Sequence, residues 1–255
     1  MVESTQTGLV ALFDILGYQN LLTRNEPETI AEEVIPILLG MREKVANILT
    51  QYPLDGIVKE LRDAVIEEMK WLSFSDTILL ALPVSQDKWP NDKFNTREVF
   101  TWMYFLMATQ LVHRELFSAG LPARGAVDYG KYYVKETCFA GRTIVSAYQL
   151  CQQIEMSACV LTDAAGQQWR HVGREFKQVP LEAYVLEYLV PTKEGERNML
   201  VVPSMPSDIN NASLLNETVM RAFWGNNKEI PVAVRPKIMN TEQWFQFQLL
   251  HSKSN

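Results

Sequence analysis

Two stretches of strand length, Leu9 to Gly17 (LVALFDILG) and Trp71 to Pro83 (WLSFSDTILLALP), are so apolar that their flanks must be buried, yet each carries one carboxylate, Asp14 and Asp76. A lone buried Asp is costly unless something pairs it or it holds a metal. Two of them in matching settings point to a shared cation, since one divalent ion or a pair neutralises both. The alternative is that one carboxylate caps a turn and the other forms an Asx motif.

The rest of the chain sets the frame for that pair. With 255 residues, of which 47% are hydrophobic and 21% charged, it has the apolar mass for a sizeable core, and the expectation is one domain, residues 1–190, with an extension over 191–255. A net charge of −6 and a pI near 5.2 exclude broad electrostatic attraction to nucleic acid or to an anionic membrane, while leaving room for a local basic pocket. Cys138, Cys151 and Cys159 are odd in number, lack metal-ligand spacing and read as reduced core residues of a cytoplasmic protein. Three scattered histidines offer little for zinc. The chain opens without the basic, apolar, small-residue progression of a signal peptide. Its most apolar helix, Val99 to Val112, is too short and too interrupted to span a bilayer.

Along the chain, the strand from Gly8 to Leu16 ends at Gly17, and Tyr18 to Thr23 starts a short helix. Such a turn clusters backbone N–H groups, and Gly17 lets a ligand approach the main chain, so an anion beside Asp14 is well placed. Thr29 to Thr50 repeats apolar residues at helical spacing and predicts one amphipathic helix. Tyr52 to Gly56 reads as a loop, and Ile57 to Lys70 fits either helix or irregular chain. The apolar arms on either side of Ser75 and Asp76 predict a β-hairpin with the Asp at its tip. Gln86 to Asn95 reads as a polar loop, and Thr96 to Ala119 as a nearly all-round apolar helix for a core or a subunit interface. Pro122 to Val134 (PARGAVDYGKYYV) predicts a second hairpin or bent strand, broken at Asp128 to Gly130. A helix over Gly141 to Ile154, a strand over Ala158 to Thr162 and a strand from Ala183 follow. The last helix is expected to start after Asn240 or Thr241 as its N-cap. Strands and helices in this order make an α+β fold, a mixed sheet with helices on its faces and a C-terminal extension.

These motifs resemble the class III nucleotide cyclase catalytic domain over roughly residues 8 to 190. FDILGY stands where that family has the strand carrying its first metal Asp, and LSFSDTI where it has the hairpin carrying the second. AGRTIVSAYQL is similar to its substrate-binding helix, ARGAVDYG to the strand and turn before it, and EFKQVPLEAYVLEY to its late strand, where Lys177 matches a triphosphate-binding lysine. The resemblance implies the family's ferredoxin-like palm. It further implies two Mg²⁺ or Mn²⁺ ions per site on Asp14, Asp76 and the Ile15 carbonyl, with phosphates on the N–H groups of Leu16, Gly17 and Tyr18. It also implies a head-to-tail homodimer with composite sites, for which the helix over Thr96 to Ala119 and the extension offer apolar surface.

The branch most similar is the bacterial pyrimidine cyclases of the anti-phage Pycsar system, which make cyclic UMP or cyclic CMP for a separate effector. Adenylate cyclases carry a base-reading lysine four residues before the second metal Asp, where this chain has Leu72 beside Trp71 and Phe74. That apolar wall leaves a purine edge unpaired and favours the smaller ring. The Asn and Arg that the family sets four apart on the later helix correspond to Val145 and Gln149, so other basic residues substitute, drawn from Arg124, Arg142, Arg170 and Arg174, or the domain is an inactive nucleotide- or partner-binding module. A relative of the diguanylate cyclases is disfavoured by the absence of their G-G-(D/E)-(E/D)-F hairpin.

Overall fold

In the strand Gln6–Ile15 (β1), side chains alternate between two faces and both faces are buried, which only a strand covered on each side tolerates. The structure is a computed structural model that describes residues 5–51, 59–84, 96–136, 138–175, 183–209 and 211–251. β1 pairs antiparallel with Thr77–Pro83 (β3) on one side and with Ala123–Lys135 (β4) on the other. Outside β3 lies Lys70–Phe74 (β2); beyond β4 come Cys159–Leu161 (β6), Gly195–Val202 (β8) and Leu186–Thr192 (β7). Only β4 and β6 among these neighbours run parallel, and Cys138–Ala140 (β5) pairs with the end of β4. The fold is therefore α+β, built on a mixed sheet of eight strands among the described residues.

The alternation in β1 sorts the helices. Leu9, Ala11, Phe13 and Ile15 share a core with Tyr18–Arg24 (α1), Pro27–Glu33 (α2), Ile35–Gln51 (α3), Lys59–Glu68 (α4), Thr96–Ser118 (α5) and Asp163–Glu175 (α7). Val10, Leu12 and Leu16 face a second core with Arg142–Gln153 (α6), Ala212–Trp224 (α8) and Arg235–His251 (α9). Asp14 has the parity of the second set, so the face of α6 is the face of the candidate site.

Several expectations are corrected. The amphipathic segment from Thr29 to Thr50 is two helices that meet at Val34, because Pro36 has no N–H to return to the preceding turn. Of the two settings expected for α5, a core or a subunit interface, Trp102, Tyr104 and Phe105 take the core, where they are fully buried, so these three offer no surface to a partner subunit. Between Asp128 and Gly130 the strand β4 does not break: Val10, Leu9 and Gly8 pair with Asp128, Tyr129 and Gly130 in turn. The glycines there serve close approach rather than a turn, since a Cβ on Gly130 would lie 2.8 Å from Thr143 Oγ1, and one on Gly8 only 2.2 Å from the Leu82 carbonyl oxygen.

The chain beyond residue 175 also departs from expectation. The boundary expected after residue 190 falls inside β7, and β8 pairs with both β6 and β7, so the hairpin belongs to the sheet. Its β8 half has a polar start, Gly195 to Asn198, that hides the strand from a hydropathy reading. The helix α9 starts at Arg235, and Thr241 sits inside it, donating to the Lys237 carbonyl (2.6 Å) and accepting from the Ser157 N–H (2.8 Å). The helix α7 was not expected. Cys151 and Cys159 are buried thiols, whereas Cys138 is exposed on β5. No helix of the described residues is long and apolar enough to cross a membrane.

Candidate active site

Asp14 lies one residue from the end of β1, where register sets it opposite Thr77 on one side and Arg124 on the other. Arg124 Nε donates to Asp14 Oδ2 at 2.9 Å, and the two side chains are only 11% and 15% exposed, so the carboxylate pairs with a cation inside the fold. The other guanidinium nitrogens reach α6: Nη1 donates to the Gln152 carbonyl at 3.1 Å and Nη2 to Gln152 Oε1. All three nitrogens are thus satisfied, which is what lets an arginine sit this deep. Next to it the Cys151 thiol donates to the Arg124 carbonyl at 3.3 Å, and burial pushes that thiol up to about 12, so it stays protonated and unreactive.

Asp76 arrives by the hairpin that the sequence predicts. β2 and β3 are joined through Ser75 and Asp76, with Ser75 in the left-handed region at φ 54°, and the Ile15 N–H donates to the Asp76 carbonyl at 2.9 Å. That bond ties the hairpin tip to the residue after Asp14. The Tyr18 phenol, at the start of α1, is raised, first by burial and then by the Asp76 charge. Both acidic residues therefore converge where β1 ends, although they are 62 positions apart in the chain.

The intervening turn is Leu16–Gly17, with Gly17 left-handed at φ 75°. The Leu16 N–H donates to the Pro122 carbonyl at 2.8 Å, so of the three amides expected to face a phosphate, the Leu16 one is already engaged, leaving those of Gly17 and Tyr18 for the role. Lys228 underlies this turn: its Cδ would lie 3.8 Å from a Cβ on Gly17, and its Nζ donates to the carbonyls of Gly120 (2.6 Å) and Ala222 (3.3 Å). Burial lowers its ammonium to about 8. Around it, Asn25 donates to the Asn226 carbonyl at 2.9 Å and the Glu229 N–H to Asn20 at 2.8 Å, so the segment after α8 is strapped to α1.

The remaining sequence candidates scatter. Leu72 packs on the α6 side of the sheet, but Trp71, its neighbour on β2, packs into the opposite core and cannot share a wall with it; Phe74, on the Leu72 side, is exposed. Arg142 lines a cleft of about 630 Å³ at the start of α6 with Asp128, Lys131, Thr143 and Ser146, and Gln149 an adjoining one of about 490 Å³ with Thr162 and Arg197; neither is lined by Asp14 or Asp76. Arg170 and Arg174 are on α7, across the sheet, with Arg170 paired to Glu187 at 3.2 Å. Arg124 is therefore the one of the four arginines that the fold brings to Asp14. Lys177 lies outside the described residues. Gln152 and Lys228 are the residues that sequence reasoning missed. Gln152 could have been found by counting one helical face from Val145 through Tyr148, whereas Lys228 sits in a polar GNNKE run that reads as surface.

For a divalent ion the donors fit. Two carboxylates and the Ile15 carbonyl are hard oxygens of the kind Mg²⁺ and Mn²⁺ take, and no group of three or more His, Cys, Asp or Glu stands together among the described residues.

No family model matches the sequence, and no curated protein does. Among solved structures, the chain is similar to the catalytic core of a rhodopsin-guanylyl cyclase with converted specificity in complex with ATPalphaS, at 12% identity over 80% of this chain and 99% of that one, with a TM-score of 0.45. It is also similar to the guanylyl cyclase Cya2, at 13% identity over 79% and 93%, with a TM-score of 0.39. Likenesses this distant carry neither site nor chemistry to this chain.

Proposed function

We propose that the chain is a nucleotide cyclase that converts UTP or CTP to the 3',5'-cyclic monophosphate and pyrophosphate. The observation that carries this reading is the convergence of Asp14 and Asp76 at the end of β1, beside Arg124. Asp14, Asp76 and the Ile15 carbonyl would hold Mg²⁺ or Mn²⁺. When bound, two such ions would acidify the ribose 3'-hydroxyl and neutralise the charge that builds on the leaving pyrophosphate. The chain's own residues supply the rest. The amides of Gly17 and Tyr18 offer donors to the β- and γ-phosphates, and Arg124 stands beside Asp14 as a cation for the triphosphate. Lys177 is assigned to the same triphosphate by its motif.

Base choice follows from Leu72. An apolar side chain cannot pair a purine edge, and each unpaired group is penalised by on the order of 1–3 kcal/mol. With Trp71 turned to the other core, the wall is made by Leu72 and Phe74 alone. Substrate contacts from a second copy would complete the site: α6, the helix that anchors Arg124, exposes Val145 and Tyr148 (54% and 51%), an apolar patch suited to a head-to-tail homodimer. The product would then signal to a separate effector in anti-phage defence, a role supported by the sequence resemblance alone.

Incubating the pure protein with equal concentrations of ATP, GTP, CTP and UTP and Mn²⁺, then resolving the products, tests the reading. A cyclic pyrimidine nucleotide is expected. Dominant cyclic AMP or cyclic GMP overturns the base assignment. No product from any of the four favours an inactive cyclase-fold module, the reading to which Val145 and Gln149 give weight.

A further inference from the structure

The pair Asp14–Arg124 does more than neutralise a buried charge. A carboxylate this enclosed needs a partner whether or not an ion is present, and Arg124 is the cation the fold brings to it. The guanidinium uses Nε for Asp14 and keeps its other two nitrogens on the carbonyl and Oε1 of Gln152. Releasing Asp14 therefore does not release Arg124. The α6 anchor holds the guanidinium at the site while one donor is freed for another acceptor.

We infer that Arg124 is a placeholder cation for the metal on Asp14, positioned by Gln152, and that it exchanges the carboxylate for a phosphate oxygen when an ion binds. Metal and triphosphate then strengthen one another, since each binds better to the arrangement in which Asp14 and Arg124 are apart. The same free energy must appear from both directions. The inference rests on the proposed metal and triphosphate site and adds to it a coupling residue, Arg124, and its positioning residue, Gln152.

The test reads binding, one ligand at a time, so that chelation in solution does not intervene. Mn²⁺ titrated into the metal-free protein, followed by the loss of the free-ion paramagnetic signal, is expected to bind Arg124→Gln at least about fivefold more tightly than the unaltered chain. Asp14→Asn is expected to lose this binding. In the opposite direction, tripolyphosphate titrated in the presence of EDTA is expected to bind Asp14→Asn at least about fivefold more tightly than the unaltered chain, because the Arg124 Nε–H no longer faces a carboxylate. That gain is expected to shrink in Asp14→Asn/Gln152→Leu and to vanish in Asp14→Asn/Arg124→Gln, which also leaves no buried charge unpaired and so guards against a folding defect.

Unchanged or weaker Mn²⁺ binding in Arg124→Gln, or no gain in tripolyphosphate affinity in Asp14→Asn, overturns the exchange while leaving the metal site standing. Mn²⁺ binding that survives Asp14→Asn undiminished overturns the metal site itself and the inference with it.

Discussion

At the level of single residues, the site is a problem in buried charge. Asp14→Asn and Asp76→Asn keep the shape and remove the charge a metal needs, so each is expected to lower turnover by on the order of 10³-fold or more while the chain stays folded. In Asp14→Asn the Arg124 guanidinium keeps its two bonds to Gln152. Product formation at saturating Mn²⁺, set beside a circular-dichroism melt, checks both halves, and full activity in either variant ends the two-metal reading.

A second residue carries a pH dependence. His113 on α5 is fully buried; its Nε2–H donates to the Ala123 carbonyl at 2.8 Å, which leaves Nδ1 to accept from the Ser204 hydroxyl at 2.8 Å, so the ring is neutral. Burial lowers it to about 4, against an opposing contribution from the Ala123 carbonyl. In the unfolded chain the ring takes up its proton near 6.5 and in the folded one only near 4. Its contribution is therefore intact above about pH 6.5 and is lost as pH falls to 4, by up to about 3 kcal/mol. Burial raises the Asp128 and Glu242 carboxyls, which acts with the opposite sign. Urea unfolding of the unaltered chain and of His113→Gln from pH 7.5 to 4 separates the two, the expected outcome being a shallower loss in the variant.

Among the elements, the position of α6 decides the site, and glycines decide the position of α6. Gly130 on β4 faces Thr143 at the second residue of α6, whose hydroxyl donates to the Lys131 carbonyl at 3.0 Å. Gly130→Ala drives a methyl into that hydroxyl and is expected to cost about 1–3 kcal/mol, with activity falling because α6 also carries Gln152. Gly8→Ala meets backbone at 2.2 Å, which cannot rotate away, and is expected to lie at or above the top of the same range. Thermal melts of the two variants check the order. Asp128-Tyr129-Gly130 in a strand composition looks like a turn, yet it is a strand that admits a close neighbour.

For the whole molecule, the faces left uncovered matter. Val145, Tyr148 and Phe74 are exposed on the side of the sheet that carries Asp14, while Trp102, Tyr104 and Phe105 of α5 are fully buried on the other. Light scattering at assay concentration is expected to give a dimer, and Tyr148→Glu is expected to shift it toward monomer and to lower activity in parallel. A monomer with full activity excludes a composite site.

The sequence by itself determined what short-range patterns encode. The apolar runs around Asp14 and Asp76, the hairpin with Asp76 at its tip, the strand–turn–helix at Gly17 and the helix after Gly141 all follow from periodicity and turn chemistry within a dozen residues. Tertiary structure decided the partners. Arg124 is 110 positions from Asp14 and was one of four equivalent arginines until sheet register set it opposite and put α7, with Arg170 and Arg174, on the other face. Gln152 and Lys228 act through neighbours 28 and 108 residues away, and β8 is a strand because β6 and β7 offer it hydrogen bonds, not because its polar start demands it. A carboxylate's need for a counter-charge is legible in its local surroundings, but which cation meets it depends on contacts that no local pattern encodes.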